Sequence, residues 1–282
     1  MVERNKYNSI NENYNAIVSS KEEVLKMLQE LGVRKGMTIL VQADLTKLGY
    51  LIGEEQMLID ALIESVGYEG TIVMPAFTMH LCDPANKKER VARFHWGNVR
   101  KNALPFDRKK SIPKNQNTLV QQFLHNEGVL RSYHPLYSFA AWGKYAKLIC
   151  DKHPLHFGLN SDSPLGKLEE LNAFVVMLGY PMEESVALSL AHYKNNLLPI
   201  KVIYAPIENN RKLQWKAMLD LDLKDVDYHN CCKAMEDRKV IRHAYLGGGK
   251  CTLFSMREGV RQAQECYCIE NDEVNMWTNS VK

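Results

Sequence analysis

The chain has 282 residues, 45% of them hydrophobic and 24% charged, with 16 Gly and 10 Pro dispersed through it. That profile belongs to a globular protein long enough to bury its own core, and it excludes collagenous, low-complexity and disordered scaffolds. The 36 basic and 33 acidic side chains leave a net charge of +3, too little to mark a nucleic-acid protein.

Ser20 to Glu23 has the spacing of a capping box. It predicts a helix with Val24, Leu25, Leu28 and Leu31 on one face and Gly32 as its stop. Thr38–Val41 reads as a buried strand, and Met57, Leu58, Ala61, Leu62 and Val66 repeat at helical spacing before Gly67. Thr71–Met74 is a second apolar run ahead of Pro75, so the order is βαβ and a parallel pair is expected. Residues 78–115 lack periodicity and carry Lys87, Lys88, Arg90, Arg93, Arg100, Lys101, Arg108, Lys109 and Lys110, which predicts a long basic excursion. Beyond it the pattern predicts a helix near 117–126, a buried strand at 173–178 and a helix near 183–194. Strands near 199–204 and 239–246 and a last helix over 255–268 complete the series. Without repeats or linkers, the expected architecture is a single large α/β/α domain over 20–282 around a mainly parallel or mixed sheet. A smaller subregion comes from the loop excursion and the C-terminal third, and residues 1–19 form an N-terminal extension.

No stretch approaches the roughly 18 apolar residues of a membrane helix, and the N-terminus lacks the apolar core of a signal peptide. The chain therefore reads as cytosolic, with no membrane partner. Its seven cysteines are an odd number without a CxxC pair, which predicts reduced structural thiols and no metal site. Gly247-Gly-Gly249-Lys250 lacks the earlier glycine and the following hydroxyl of a phosphate loop, so it is expected to be a turn before the strand Cys251–Phe254. Pro154 keeps His153 and His156 from the one-face helical geometry of a metal pair, and they are expected in a loop.

Open α/β sheets bind ligands outside the carboxyl ends of their strands, where loop amides converge. Asp44–Gly49, Pro75–Thr78 and Arg131–Ser138 are loops of this kind, though each can also be read as a plain turn or cap. With Asp60-Ala-Leu, Glu69–Thr78, Pro105-Phe-Asp107, Gly128–Ser132, His134-Pro135, Ala140–Gly143, Ser163–Leu168 and Leu178-Gly179, they occur in the order of one family. The sequence resembles the aminoglycoside 3-N-acetyltransferases from about residue 20 to its end.

The resemblance implies transfer of an acetyl group from acetyl-CoA to an amine, on an aminoglycoside or another small molecule, without a metal. Thr46, Lys47, Leu48, Gly49, Ala76, Phe77, Thr78, Arg131 and Ser138 fall where such a protein would hold CoA, and the basic excursion would meet its outer phosphate. No nucleic-acid partner is implied, and the oligomeric state is left open. A cationic amine calls for carboxylates, for which Glu183, Glu184, Asp107 and the run Asp220, Asp222, Asp225 and Asp227 are candidates. Asp107 can equally cap a local turn, and the acidic run from Asp220 to Asp227 can equally be a solvated strand edge. The family's catalytic histidine and the glutamate three residues later correspond here to Ser189 and His192, and its Asn-Thr pair to Ser185 and Val186. The histidine and two serines usual before Leu45 are Gln42, Ala43 and Asp44. The candidate bases are then His192, one turn along the same helical face as Ser189, and His134. A catalytically silent protein that keeps a CoA- or antibiotic-shaped crevice is the alternative.

Overall fold

Ser20 opens the first helix with a reciprocal cap: its hydroxyl accepts from the Glu23 amide at 3.4 Å, and the Glu23 carboxylate accepts from the Ser20 amide at 2.8 Å. The computed structural model describes residues 17–86, 91–114, 118–195 and 198–279, with 268–279 as backbone only. Most of the N-terminal extension, up to residue 16, and Lys87, Lys88 and Arg90 of the basic excursion lie outside the described residues. A short strand β1 (Val18–Ser19) leads into α1 (Lys21–Leu31), and Gly32 ends that helix in the left-handed region at φ 92°. Then come β2 (Thr38–Ala43), β3 (Tyr50–Leu51), α2 (Glu54–Val66) and β4 (Thr71–Pro75). β2 and β4 are parallel, with Ile39 opposite Ile72, as the βαβ order predicts.

The described part of the basic excursion holds regular structure despite its lack of periodicity. It contains α3 (Trp96–Asn102), fastened by Arg100, whose guanidinium donates to both carboxylate oxygens of Asp83 at 2.7 and 2.8 Å. After α4 (Thr118–Leu124) come β5 (Leu130–Arg131), β6 (Phe139–Gly143), α5 (Ala146–Asp151), α6 (Pro164–Glu170) and β7 (Phe174–Leu178). Helix α7 (Val186–Asn195) leads to a hairpin of β8 (Ile200–Asn209) and β9 (Lys212–Leu221). Helix α8 (His229–Asp237), β10 (Ile241–Leu246), β11 (Gly249–Ser255) and α9 (Met256–Asn279) complete the chain. The strand near 199 thus runs to 209 as half of a hairpin, and the last helix runs to 279 instead of 268.

Seven strands form one mixed sheet in the order β10-β11-β7-β2-β4-β6-β5, with β7, β2 and β4 parallel and the flanking pairs antiparallel. Alternate residues of the central strands serve opposite faces. Ile39, Val41, Ile72, Met74, Val176 and Leu178 pack with α1, α2 and α4, whereas Leu40, Val73, Val175 and Met177 pack with α5 to α9. The result is the expected α/β/α sandwich, with the β8–β9 hairpin beside it as a separate two-stranded sheet.

Candidate active site

Strands β2 and β7 lie side by side and parallel, but the chain leaves them in opposite directions. From β2 it passes through α2 to β4 on one side; from β7 it passes eventually to β10 and β11 on the other. The carboxyl ends of such a pair diverge into a crevice, the usual ligand position of an open α/β sheet. Here the crevice is a cavity of about 680 Å³ lined by Lys47 beyond β2, Gly179 to Glu183 beyond β7, Gly248 of the β10–β11 turn with Gly249 and Lys250 at the start of β11, and His229, Cys232, Lys233 and Glu236 of α8.

Glycine makes this geometry reachable. A Cβ at Gly247 would lie 1.9 Å from the Leu48 carbonyl oxygen, and one at Gly249 would lie 2.3 Å from that of Lys47. Gly247 and Gly248 therefore form the turn, as expected, and Gly249 opens β11, which lets β10–β11 press against the first loop. That loop is held from within. The Asp44 carboxylate accepts from the Thr46 amide at 3.0 Å and from its hydroxyl at 2.6 Å, Leu48 is buried, and Gly49 sits at φ 70° under the Ile17 carbonyl. Lys47 is the residue of this loop that reaches the cavity.

The other two loops expected on the cofactor are fastened to each other. Arg131 is buried and donates to the Ser138 hydroxyl at 3.0 Å, the Ala76 carbonyl at 2.8 Å and the Arg108 carbonyl at 3.3 Å, with Ser111 as a further acceptor. Loss of hydration lowers its pKa to about 10. Ser138 also donates to Ala76, Thr78 donates to the Pro135 carbonyl at 2.7 Å, and Phe77 packs edge-on against Tyr137 and Phe139. These residues form a brace between β4 and the 131–138 segment and do not line the crevice. Arg131 instead forms part of a second cavity of about 740 Å³ at the β5 edge, with Arg108, Lys109 and Lys147 around Leu124 and Leu130.

The candidate bases are enclosed. His134 is fully buried, and its Nδ1 accepts from the amides of Leu136 and Tyr137 at 3.1 and 2.9 Å, which shapes the turn. Burial, with His153 beside it, lowers its pKa well below the ordinary imidazole value. Ser189 turns its hydroxyl back to the Val186 carbonyl at 2.7 Å. His192 is 1% exposed, neither ring nitrogen has a hydrogen-bond partner among the described residues, and Tyr267 meets it edge-on at 4.2 Å between ring centres. Desolvation lowers its pKa to about 4. Ser189 and His192 share a helix face but make no hydrogen bond with each other.

Glu183 lines the crevice. Glu184 lies beside Tyr180, whose hydroxyl is pushed up to about 12 by burial and then by that carboxylate. Asp107 caps its own turn, accepting from the amides of Lys109 and Lys110 at 2.7 and 3.0 Å. The acidic run is not uniformly a solvated edge: Asp220 is buried and accepts from Tyr137 and Tyr193, each at 2.6 Å. His153 and His156 do lie in a loop, where His153 meets the Ser132 hydroxyl at 2.9 Å.

Two features of the site escape the sequence reading. Gln42 on β2 accepts from the Val186 amide at 2.8 Å and donates to the Glu184 carbonyl at 3.3 Å, so a strand side chain caps α7. Helix α8 contributes four crevice residues spaced i, i+3, i+4 and i+7, a stripe visible in the sequence once 229–237 is taken as a helix.

A family model described as aminoglycoside 3-N-acetyltransferase matches residues 40–267. The chain is 34% identical to the SPbeta prophage-derived aminoglycoside N(3')-acetyltransferase-like protein YokD of Bacillus subtilis (strain 168), over 91% of this chain and 95% of that protein. The crystal structure of YokD superposes with a TM-score of 0.85, at 33% identity, covering 91% of this chain and 96% of that one. AAC-IIIb in its binary complex with CoASH superposes with a TM-score of 0.76 at 26% identity, covering 89% and 97%. Fold, order of loops and extent of the match agree, and the chain belongs to the aminoglycoside 3-N-acetyltransferase family.

Proposed function

We propose that the protein transfers an acetyl group from acetyl-CoA to a small cationic amine of the aminoglycoside class, in the crevice between the carboxyl ends of β2 and β7. The observation that carries this reading is the charge pattern of that cavity. Lys47, Lys233 and Lys250 offer cations to the phosphates of CoA, while Glu183 and Glu236 offer carboxylates to an ammonium group. Glu236 also binds Lys250 at 3.1 Å and His243 at 2.8 Å, which fixes one side of the opening. The relative bound to CoASH supports the choice of cofactor. Thr46 to Gly49 present the loop that carries Lys47, and Ala76 to Thr78, Arg131 and Ser138 hold the neighbouring loops in position.

Isothermal calorimetry with CoASH and thiol release from acetyl-CoA over a panel of amines test the reading. Lys47→Ala is expected to weaken CoASH binding by about 1.5–3 kcal/mol, the range for a hydrogen bond to a charged group. Unchanged affinity would remove this crevice from cofactor binding.

The second reading is a protein that binds CoA or an antibiotic without turnover. It is favoured by α7, where Ser189 bonds to its own helix and His192 is sealed among aromatic rings. The double substitution Ser189→His with His192→Glu is the discriminating variant. Activity gained only in that variant supports the silent protein; thiol release by the natural chain, dependent on amine, rejects it.

A further inference from the structure

Strand β5 is the last strand at one end of the seven-stranded sheet, and the cavity of about 740 Å³ lies against it, walled by α4, α5 and the loop 108–113. Its size is that of a site for an organic ligand, roughly 300–1,000 Å³. The loop is fixed from within and from both sides. The Ser111 hydroxyl accepts from the Asp107 amide at 3.0 Å, Arg131 donates to the Arg108 and Ser111 carbonyls, and Gln121 of α4 donates to the Pro113 carbonyl at 3.0 Å. Four cations, Arg108, Lys109, Arg131 and Lys147, stand in this wall against one carboxylate, Asp151. None of the four is in an ion pair among the described residues. Arg131 is 6% exposed, and its partners are a hydroxyl and three carbonyls, so its charge is buried without a counter-ion. Asp107 acts on it only from a distance, with a carboxylate turned to the amides of Lys109 and Lys110. Much of the remaining wall is aliphatic: Ile112, Pro113, Leu124, Val129 and Leu130, of which Ile112 is 56% and Leu130 43% exposed. No Phe, Tyr or Trp lines the cavity among the described residues, so a nucleobase has no ring to stack on.

We propose that this cavity is a second ligand site, separate from the crevice between β2 and β7, and that it takes an aliphatic chain ending in a phosphate or carboxylate. The chain covers Ile112 and Leu130 and removes their apolar surface from water. Lys109 and Lys147 bind the head, and the buried charge of Arg131, one hydrogen bond behind the loop, adds to their field. Four cations against one carboxylate leave an excess of three positive charges, His125 aside, which favours a doubly charged phosphate head over a carboxylate. A bare anion leaves the aliphatic wall wet, and a cationic chain meets like charge, so both halves of the ligand are required. A cavity walled by two helices and a fixed loop admits a single chain, which fits a free amphiphile better than the flat surface of a bilayer. The site does not depend on acetyl-CoA binding in the crevice.

The test is calorimetry on the full chain with decyl phosphate below its micellar concentration, in parallel with decanoate, decylamine and inorganic phosphate. Saturable binding of one decyl phosphate is the expected result, with decanoate weaker and with decylamine and inorganic phosphate weaker by about tenfold or more. The double variant Lys109→Gln with Lys147→Gln, and separately Ile112→Asn, should each weaken decyl phosphate by about tenfold. All three side chains are exposed, so melting temperatures should stay near that of the natural protein. Lys47→Ala in the crevice, and saturation with CoASH, should leave decyl phosphate binding unchanged. Absence of binding, equal binding of inorganic phosphate or of decylamine, or wild-type affinity in both cavity variants would each overturn the proposal and leave the crevice reading standing. Displacement by CoASH would overturn it by giving the cavity to the cofactor. Sedimentation with phosphatidylglycerol vesicles, without binding of free decyl phosphate, would overturn it in favour of a membrane surface.

Discussion

Asp220 accepts one tyrosine hydroxyl on each carboxylate oxygen, and the three side chains come from β9, α7 and the 131–138 segment. Burial raises the pKa of the carboxyl group and of both phenols. The network is strong only while every oxygen is satisfied, because an unpaired buried acceptor keeps its full desolvation cost. Tyr193→Phe and Tyr137→Phe are each expected to lower stability by about 1–3 kcal/mol in urea denaturation, with little change in the secondary-structure signal of the folded protein. The buried imidazoles act through pH. His153 and His192 are both held neutral by desolvation, with pKa values lowered from 6.5 to about 4. Between those values the unfolded chain binds protons that the folded chain refuses. Their contribution is therefore complete above pH 6.5 and is lost as pH falls towards 4. At 1.36 kcal/mol per pKa unit the loss is up to about 3 kcal/mol for each ring. Denaturant midpoints measured from pH 7.5 down to 4.5 should fall, and His192→Leu should flatten that fall relative to the natural protein.

The β10–β11 turn and the first loop are built as a matched pair. Gly247, at φ 58°, abuts the Leu48 carbonyl, and Gly249 abuts that of Lys47, so a methyl group at either position meets backbone that cannot yield cheaply. Gly247→Ala is expected to cost about 1–3 kcal/mol from combined strain and overpacking, and to weaken CoASH binding because Lys47 moves with its loop. Thermal melts and calorimetry on the same sample check both effects; lowered stability with unchanged affinity would separate the turn from the crevice. The cap of α7 by Gln42 is a similar coupling, since it ties β2 to the helix that carries Ser189 and His192.

At the scale of the molecule, the proposed site lies where the sheet reverses its order of assembly. β2 and β7 are adjacent and parallel but their connections diverge, and the cavity with three lysines and two carboxylates sits at that divergence. In the proposed function, a polycationic amine and a polyanionic cofactor would share this site only with the charges segregated within it. Lys47 on the β2 side and Glu183 on the β7 side would provide that separation.

The sequence alone determined the elements whose signals are local. The capping box at Ser20, the helical repeat of α2, the apolar run of β7 and the glycine turn before β11 each contain, within a few residues, the physics that fixes them. Order of loops and spacing also determined the family. Tertiary structure decided what those elements leave exposed. Arg131 and Ser138 carry polar groups suited to a ligand, but folding brings the Ala76, Arg108 and Ser111 carbonyls to them, and a buried donor takes the acceptor beside it. His134 and His192 titrate in the useful range as free side chains, but burial removes the water that would stabilise their charge. Conversely, α8 enters the crevice through packing of distant segments, β11 and the loop after β7, whose contact no local pattern encodes.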